Sequence, residues 1–275
     1  MEKQLIINAD DFGHTAGISA GILQAHLNGI VTSTSVMMNR PYAAEGLRSA
    51  QKECPRLGIG VHLVLTTGRP LLPAERIPSL VNGEGKFYRQ AELIARLESI
   101  DPEEALDEWR AQVELFRTVA GCAPDHLDSH HHSSYFTPAL FERMLALAGE
   151  LGCPIRLPWT TPASFADYLS AEAAVDYASQ ISKLLERFNP PRPDAFIGHF
   201  YDEGATLENL KSIAQSIAED PDHGTFELMC HPAVVDDELR RASTYNEQRG
   251  RELTLMQNNE VKTLLLQQGI RLIGF

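Results

Sequence analysis

The run His126-Leu127-Asp128-Ser129-His130-His131-His132 sets four histidines and an aspartate within seven residues of a chain that has ten histidines in all. Imidazole is the commonest protein ligand for first-row divalent metals, and a metal site needs its ligands close in space. A histidine tag would sit at a terminus, whereas this run is internal; a solvated surface tract is the competing reading. Three further segments end on similar chemistry. Asp10-Asp11 follows Leu5-Ile6-Ile7, His62 closes Leu57-Gly58-Ile59-Gly60-Val61, and His231 closes Glu227-Leu228-Met229-Cys230. One carboxylate with two imidazoles leaves coordination positions open for water and substrate, as a hydrolytic metal site requires. The remaining carboxylate is then free to take a proton from water, and a further histidine to protonate a leaving group.

Each signal has a structural alternative. Asp10 or Asp11 could cap the next helix, although Thr15 is better spaced for that task. A single histidine such as His62 is more often a satisfied core residue. What argues for function is that Asp11, His62, His130 and His231 all fall at the ends of strand-like runs, where α/β barrels place their active sites.

The elements that would carry these residues alternate along the chain. Strand candidates are Leu5–Ala9, Ser33–Met38, Leu57–Leu63, His126–Asp128, Ile155–Leu157, Ala195–Gly198, Phe226–Met229 and Ile270–Ile273. Between them, Ile18, Ile22, Leu23 and Ala25 mark one helix. Leu106, Trp109, Val113 and Phe116 mark another, with Asp101 and Glu104 spaced as a capping box. Helices also start at Thr137-Pro138, Thr206 and Asn258. Seven or eight strand–helix units in this length imply a parallel α/β sheet closed, or nearly closed, into a barrel. A doubly wound nucleotide-binding sheet would put a glycine cluster after its first strand. Here that position holds Ala9-Asp10-Asp11-Phe12-Gly13.

Two irregular stretches are expected to cover the barrel mouth, Thr66 to Ile100 and Pro158 to Ser170. No repeat or linker interrupts the chain, so one domain spans residues 1–275. With 43% hydrophobic and 22% charged residues the composition is that of a globular protein. A net charge of −13 argues against a nucleic-acid partner. No run approaches ~18 apolar residues, which argues against a membrane span. Four scattered cysteines without a CxxC pair read as free thiols in a reducing cytoplasm.

Ala9-Asp10-Asp11-Phe12-Gly13, Gly60-Val61-His62-Leu63, the 126–132 run and Cys230-His231-Pro232 resemble, in order and spacing, the signature segments of the YdjC-like carbohydrate deacetylases. That family includes chitooligosaccharide deacetylases of the ChbG type. The resemblance extends from residue 3 to the C-terminus, through Ile30-Val31-Thr32-Ser33-Thr34-Ser35 and Gly269-Ile270-Arg271-Leu272-Ile273. It implies a distorted (β/α) barrel related to the NodB-type polysaccharide deacetylases. The implied activity is metal-dependent hydrolysis of the N-acetyl group of an amino sugar or oligosaccharide, giving the free amine and acetate.

On that resemblance Asp11, His62 and His130 match the metal ligands, Asp10 the general base and His231 the general acid. Arg156, in Ile155-Arg156-Leu157-Pro158, matches a strand-end arginine that could orient the base and is assigned here to substrate binding; a structural ion pair is the competing role. The family implies one magnesium ion, while an Asp/His/His set by its ligand chemistry suits zinc or another transition metal. After the histidine run this chain reads Ser133-Ser134-Tyr135-Phe136, where chitooligosaccharide-specific relatives often carry another histidine, so the sugar stays open. The expected partner is a small N-acetylated sugar, with a homodimer left open. The rival readings are hydrolysis of another bond, such as a phosphoester or cyclic amide, and a non-catalytic sugar-binding barrel.

Overall fold

Alternating apolar and polar residues on the first strand set the plan of the molecule. The computed structural model describes residues 2–158 and 171–275. In β1 (Lys3–Phe12), Leu5, Ile7 and Ala9 join the apolar core, while Asn8 and Asp10 project from the other face. This is the two-residue period of a strand. β2 (Ser33–Val36), β3 (Gly58–Leu63), β4 (Leu127–Ser129), β5 (Ala195–Ile197), β6 (Thr225–Cys230) and β7 (Ile270–Ile273) complete one parallel sheet. Its order is β4-β3-β2-β1-β6-β5, with β7 paired to the first half of β1. Helices α1 (Ala16–Leu27), α2 (Ala43–Glu53), α3 (Gln90–Ile94), α4 (Pro102–Ala120), α5 (Pro138–Leu151), α6 (Ala171–Phe188), α7 (Leu207–Glu219), α8 (Asp237–Ala242), α9 (Glu247–Met256) and α10 (Asn259–Gln267) follow in chain order.

The apolar core lies between sheet and helices, built from residues such as Ile18 and Ile22 on α1, Trp109 and Phe116 on α4, and Phe141 and Met144 on α5. The concave face of the sheet is polar instead. Asn8, Asp10, Ser35, His62, Asp128 and Glu227 meet there, all buried. Hydrogen bonds and ion pairs among them offset most of the cost of burial, although Asn8 Oδ1 and Glu227 Oε2 have no hydrogen-bond partner among the described residues.

The expected barrel is a curled parallel sheet whose β4 and β5 edges do not pair directly. Ile155–Leu157 forms no strand: only Ile155 bridges, to Leu127. Its flanks nevertheless fill the gap. Leu127 donates its N–H to the Pro154 carbonyl at 3.0 Å, and Ile155 donates to the Pro191 carbonyl at 3.0 Å. The helix starts follow local chemistry: the hydroxyls of Thr15, Thr137 and Thr206 accept from Ile18, Leu140 and Asn209. The capping box at α4 does not form. Asp101 accepts from Glu103, but Glu104 turns away to accept both the N–H (2.8 Å) and the hydroxyl (2.7 Å) of Ser79. One turn on, Glu108 accepts from the N–H groups of Leu71 and Leu72. α4 thus spends its acids on pinning the 66–100 insertion, which reaches the cavity through Thr66, Thr67, Arg89 and Gln90. The second expected cover, Pro158 to Ser170, lies outside the described residues apart from Pro158.

Candidate active site

The C-terminal ends of β1, β3 and β4 open on a cavity of about 1140 Å³, and Asp10, Asp11, His62, His130 and His231 all line it. Neighbouring strand residues normally face opposite ways, yet Asp10 and Asp11 share this cavity. Asp11 adopts φ 70°, and the pairing of β1 with β2 slips register between Ala9 and Phe12. Aspartate is among the few residues that enter this left-handed region readily. His131 (φ 54°) and His132 (φ 55°) do the same in succession. That double turn sends the His131 ring to the Thr66 hydroxyl at 3.0 Å and leaves His130 alone facing Asp11.

His231 is positioned by close backbone packing. A Cβ on Gly21 of α1 would lie 2.3 Å from the Ala233 Cα, so only glycine lets the segment after β6 lie against that helix. The His231 N–H donates to Glu252 Oε2 at 2.5 Å, its ring packs edge-on against Tyr201 and Tyr245, and its buried Nδ1 has no hydrogen-bond partner among the described residues.

Asp11, His62 and His130 form a compact triangle, their donor atoms all within 4.8 Å of one another. Asp11 Oδ1 stands 3.5 Å from His62 Nε2 and 3.0 Å from His130 Nδ1. It is buried and accepts no well-aligned hydrogen bond from either. Bonds of ~2.1 Å at tetrahedral angles would place ligand atoms ~3.4 Å apart, so the triangle has the size of a metal's ligand shell. Behind it, His62 Nδ1 meets Asp128 Oδ1 at 2.7 Å, and Ser35 donates its hydroxyl to Asp128 Oδ2 at 2.7 Å. A carboxylate holding the far nitrogen of an imidazole fixes the tautomer that offers the near lone pair. The residues fit a divalent cation.

Charge leads to the same conclusion. Burial opposes a proton on His62, but Asp128, Asp10 and Asp11 outweigh it and raise the imidazole to about 9. Burial likewise works against an ionised Asp11, yet the Arg249 guanidinium and His130 hold its carboxyl well below the usual range. The centre therefore demands positive charge.

Asp10 stands beside this triangle with a partner of its own. Arg156 donates Nη1 to Asp10 Oδ2 (2.6 Å) and Nη2 to Oδ1 (2.7 Å), while its Nε reaches Glu227 Oε1 at 2.7 Å. Arg156 also lies 3.1 Å from Asp128 and is wholly buried. It does not line the cavity. The guanidinium is spent on three carboxylates and has no surface to offer a sugar, which goes against the expected substrate contact of Arg156. Burial disfavours the Asp10 anion, and Arg156 more than compensates, lowering its pKa.

The family model described as YdjC-like protein matches residues 4–267. The chain belongs to the YdjC-like family. Proteins named carbohydrate deacetylase from Brevibacillus brevis and Enterococcus faecalis are 37% and 35% identical to it, each over 99% of this chain and 98% and 97% of their own lengths. One named chitooligosaccharide deacetylase, from Yersinia pestis, is 34% identical over 100% of this chain and 99% of its own. A crystal structure from Enterococcus faecalis, whose description proposes cellobiose-phosphate cleavage, superposes with a TM-score of 0.87 at 34% identity. That match covers 100% of this chain and 98% of the other.

Several residues of this YdjC-like site carried no assigned role in the sequence. Asp128 lay in plain view inside the histidine run, but its tie to His62 crosses 66 positions. Glu227 precedes His231 by four residues, and only the fold turns it toward Arg156. Arg249 on α9 donates to Asp11 Oδ2 at 2.5 Å across 238 residues, and no local signal marks it.

Proposed function

We propose that this chain hydrolyses the N-acetyl group of an amino sugar, mono- or oligosaccharide, releasing acetate and the free amine. The observation that carries this reading is the pairing of two different carboxylates at one strand end: Asp11 in a ligand triangle with His62 and His130, and Asp10 beside it, gripped by Arg156. The names of the relatives support the same reaction class. Asp11, His62 and His130 would hold one divalent cation, which when bound supplies Lewis acidity toward an amide carbonyl and toward water. The two imidazoles favour zinc or another transition ion, and the family likeness favours magnesium.

The chain's own groups do the rest. Asp10 stays ionised and takes the proton of the attacking water; the two Arg156 bonds keep its carboxylate from rotating away. Asp10, protonated in that step, then returns the proton to the amine nitrogen as the C–N bond breaks, directly or through His231, which takes the proton from Asp10 and passes it on. Burial and Arg249 lower His231 to about 4, so it is neutral before reaction and a strong donor once protonated. The mouth of the cavity adds selectivity. Arg89 and Arg241 line it, both exposed, while Arg240 beside them is paired to Asp237 and Glu247; among the described residues no acid other than Asp10 and Asp11 lines the cavity. On a chain of net charge −13 this is a local reversal, and it favours a sugar bearing a negative group such as phosphate.

No helix of the described residues is long and apolar enough to cross a membrane. The four free cysteines, three of them buried, support a cytoplasmic setting. The deciding experiment measures acetate release from N-acetylated mono- and disaccharides, with and without a phosphate, before and after metal stripping. Acetate release abolished by chelator and restored by zinc or magnesium is expected. No release from any N-acetylated sugar by metal-loaded protein would overturn the proposal.

A further inference from the structure

Large apolar side chains exposed on this molecule are few: among the described residues they are Leu27, Ile94, Val175, Tyr201 and Leu266. Of these only Tyr201 lines the cavity, and it is 45% exposed. An isolated surface leucine needs no explanation, but an aromatic ring held open inside a polar cavity does. The ring is held firmly. Tyr201 stacks on Tyr245 with centroids 4.3 Å apart and planes 13° from parallel. Tyr245 is itself fixed at its hydroxyl, which donates to Glu252 Oε1 and accepts the Asp202 N–H at 2.9 Å. Asp202, next in the chain to Tyr201, takes φ 51°, a left-handed turn that brings its N–H to that hydroxyl. The His231 ring closes one edge, with its centroid 5.5 Å from that of Tyr201. One face of Tyr201 is therefore covered, one edge is buttressed, and the orientation is set before any ligand arrives.

We propose that the outward face of Tyr201 is the platform on which the pyranose ring bearing the reacting acetamido group stacks. This rests on the deacetylase reading for the identity of the ligand, not for the shape of the platform. A pyranose presents axial C–H bonds on one face, whose slightly positive hydrogens suit the negative face of an aromatic ring. Its hydroxyls stay at the rim, free to meet the polar groups of the cavity. The contact with His231 places the platform beside the histidine proposed to serve the leaving amine, so the ring that stacks is the one that reacts. Because Tyr245 pre-sets the ring, little rotamer entropy is lost on binding, which is where a rigid platform gains affinity.

The test is calorimetric binding of an N-acetylglucosamine disaccharide and of its deacetylated form to metal-stripped protein, alongside acetate release by the metal-loaded enzyme. Tyr201→Ala is expected to weaken binding of both sugars about tenfold or more, the scale of aromatic stacking in other ligands. KM should rise by a similar factor, metal affinity and Tm should stay those of the native protein, and Tyr201→Phe should restore the affinity. Native affinity in Tyr201→Ala, with the native enzyme still releasing acetate, would overturn the platform and leave the deacetylase reading standing. Tyr201-dependent sugar binding, with no acetate released from any N-acetylated sugar by the metal-loaded enzyme, would do the reverse. If Tyr201→Phe loses as much as Tyr201→Ala, the hydroxyl and not the face binds, and the platform falls. If the native protein binds neither sugar, the platform falls, and acetate release by the metal-loaded enzyme alone decides the deacetylase reading.

Discussion

Replacing Asp128 by asparagine should separate two effects that oppose each other at neutral pH. Asp128 accepts from His62 Nδ1 at 2.7 Å and thereby aims Nε2 at Asp11. Losing such a support typically weakens metal binding ~10–100-fold. The same carboxylate, however, helps hold a proton on His62, which is raised to about 9. Below that pH the cation must displace the proton, so native affinity should climb about tenfold per pH unit from 7 to 9, ~100-fold in all. In Asp128→Asn the imidazole falls back toward its ordinary value and the climb flattens. The two proteins should therefore bind zinc or magnesium within about tenfold of each other at pH 7, and diverge to ~10–100-fold at pH 9. Arg156 keeps Asp10 and Glu227 as partners, so the variant should fold. Metal-buffered titrations across pH 6.5 to 9, with Tm as the folding control, measure this directly. Parallel curves, or equal affinity at pH 9, would refute the idea that Asp128 both aims and charges His62.

Three further outcomes follow from the same geometry. Asp10→Asn should keep metal affinity near native and lower kcat ~10²–10⁴-fold, whereas Asp11→Asn should lose the metal and recover some activity at high metal concentration; calorimetry beside kinetics distinguishes them. Arg156→Ala strips three buried carboxylates of their shared cation and should cost ~3–5 kcal/mol in denaturant unfolding, while Arg156→Lys, which keeps charge but not the two-pronged grip, should fold and lose kcat. Burial raises Glu227 from 4.5 to about 7 against the pull of Arg156, so the stability its protonated form contributes is whole below about 4.5 and is lost as pH rises through 7. Glu227→Gln removes that titration, and its Tm should gain on the native protein between pH 5 and 8; curves that stay parallel would show that Glu227 remains charged throughout.

What could be read from the sequence was local. Thr15, Thr137, Thr206 and Asn258 cap helices as read, because a cap depends on groups two or three residues away. Asp10, Asp11, His62, His130 and His231 line one cavity, as strand ends in a parallel sheet must. The failures were tertiary. Glu104 had the spacing of a capping box, but a loop 25 residues earlier outcompeted its own helix end. Ile155–Leu157 had the composition of a strand, yet it lies where the curled sheet leaves room for a single bridge. Arg156 looked able to meet a ligand because nothing local told of three carboxylates, two of them contributed by β1 and β6. Arg249, Tyr201 and Tyr245 belong to the same class: their importance lies in what the fold sets beside them.

The central place of β1 bears on how the chain is made. Its first residues pair with β7 and six of its residues pair with β6, so β1 is made well before two of the strands it pairs with. Asp10 and Asp128 leave the ribosome before Arg156, and Asp11 leaves before Arg249. Until those cations emerge, a growing chain that closed around its carboxylates would bury charge with nothing to neutralise it. Such closure is therefore costly before Arg156 and Arg249 are made, and until β6 and β7 follow, one edge of β1 stays unpaired, the kind of open sheet edge that neighbouring chains can pair with.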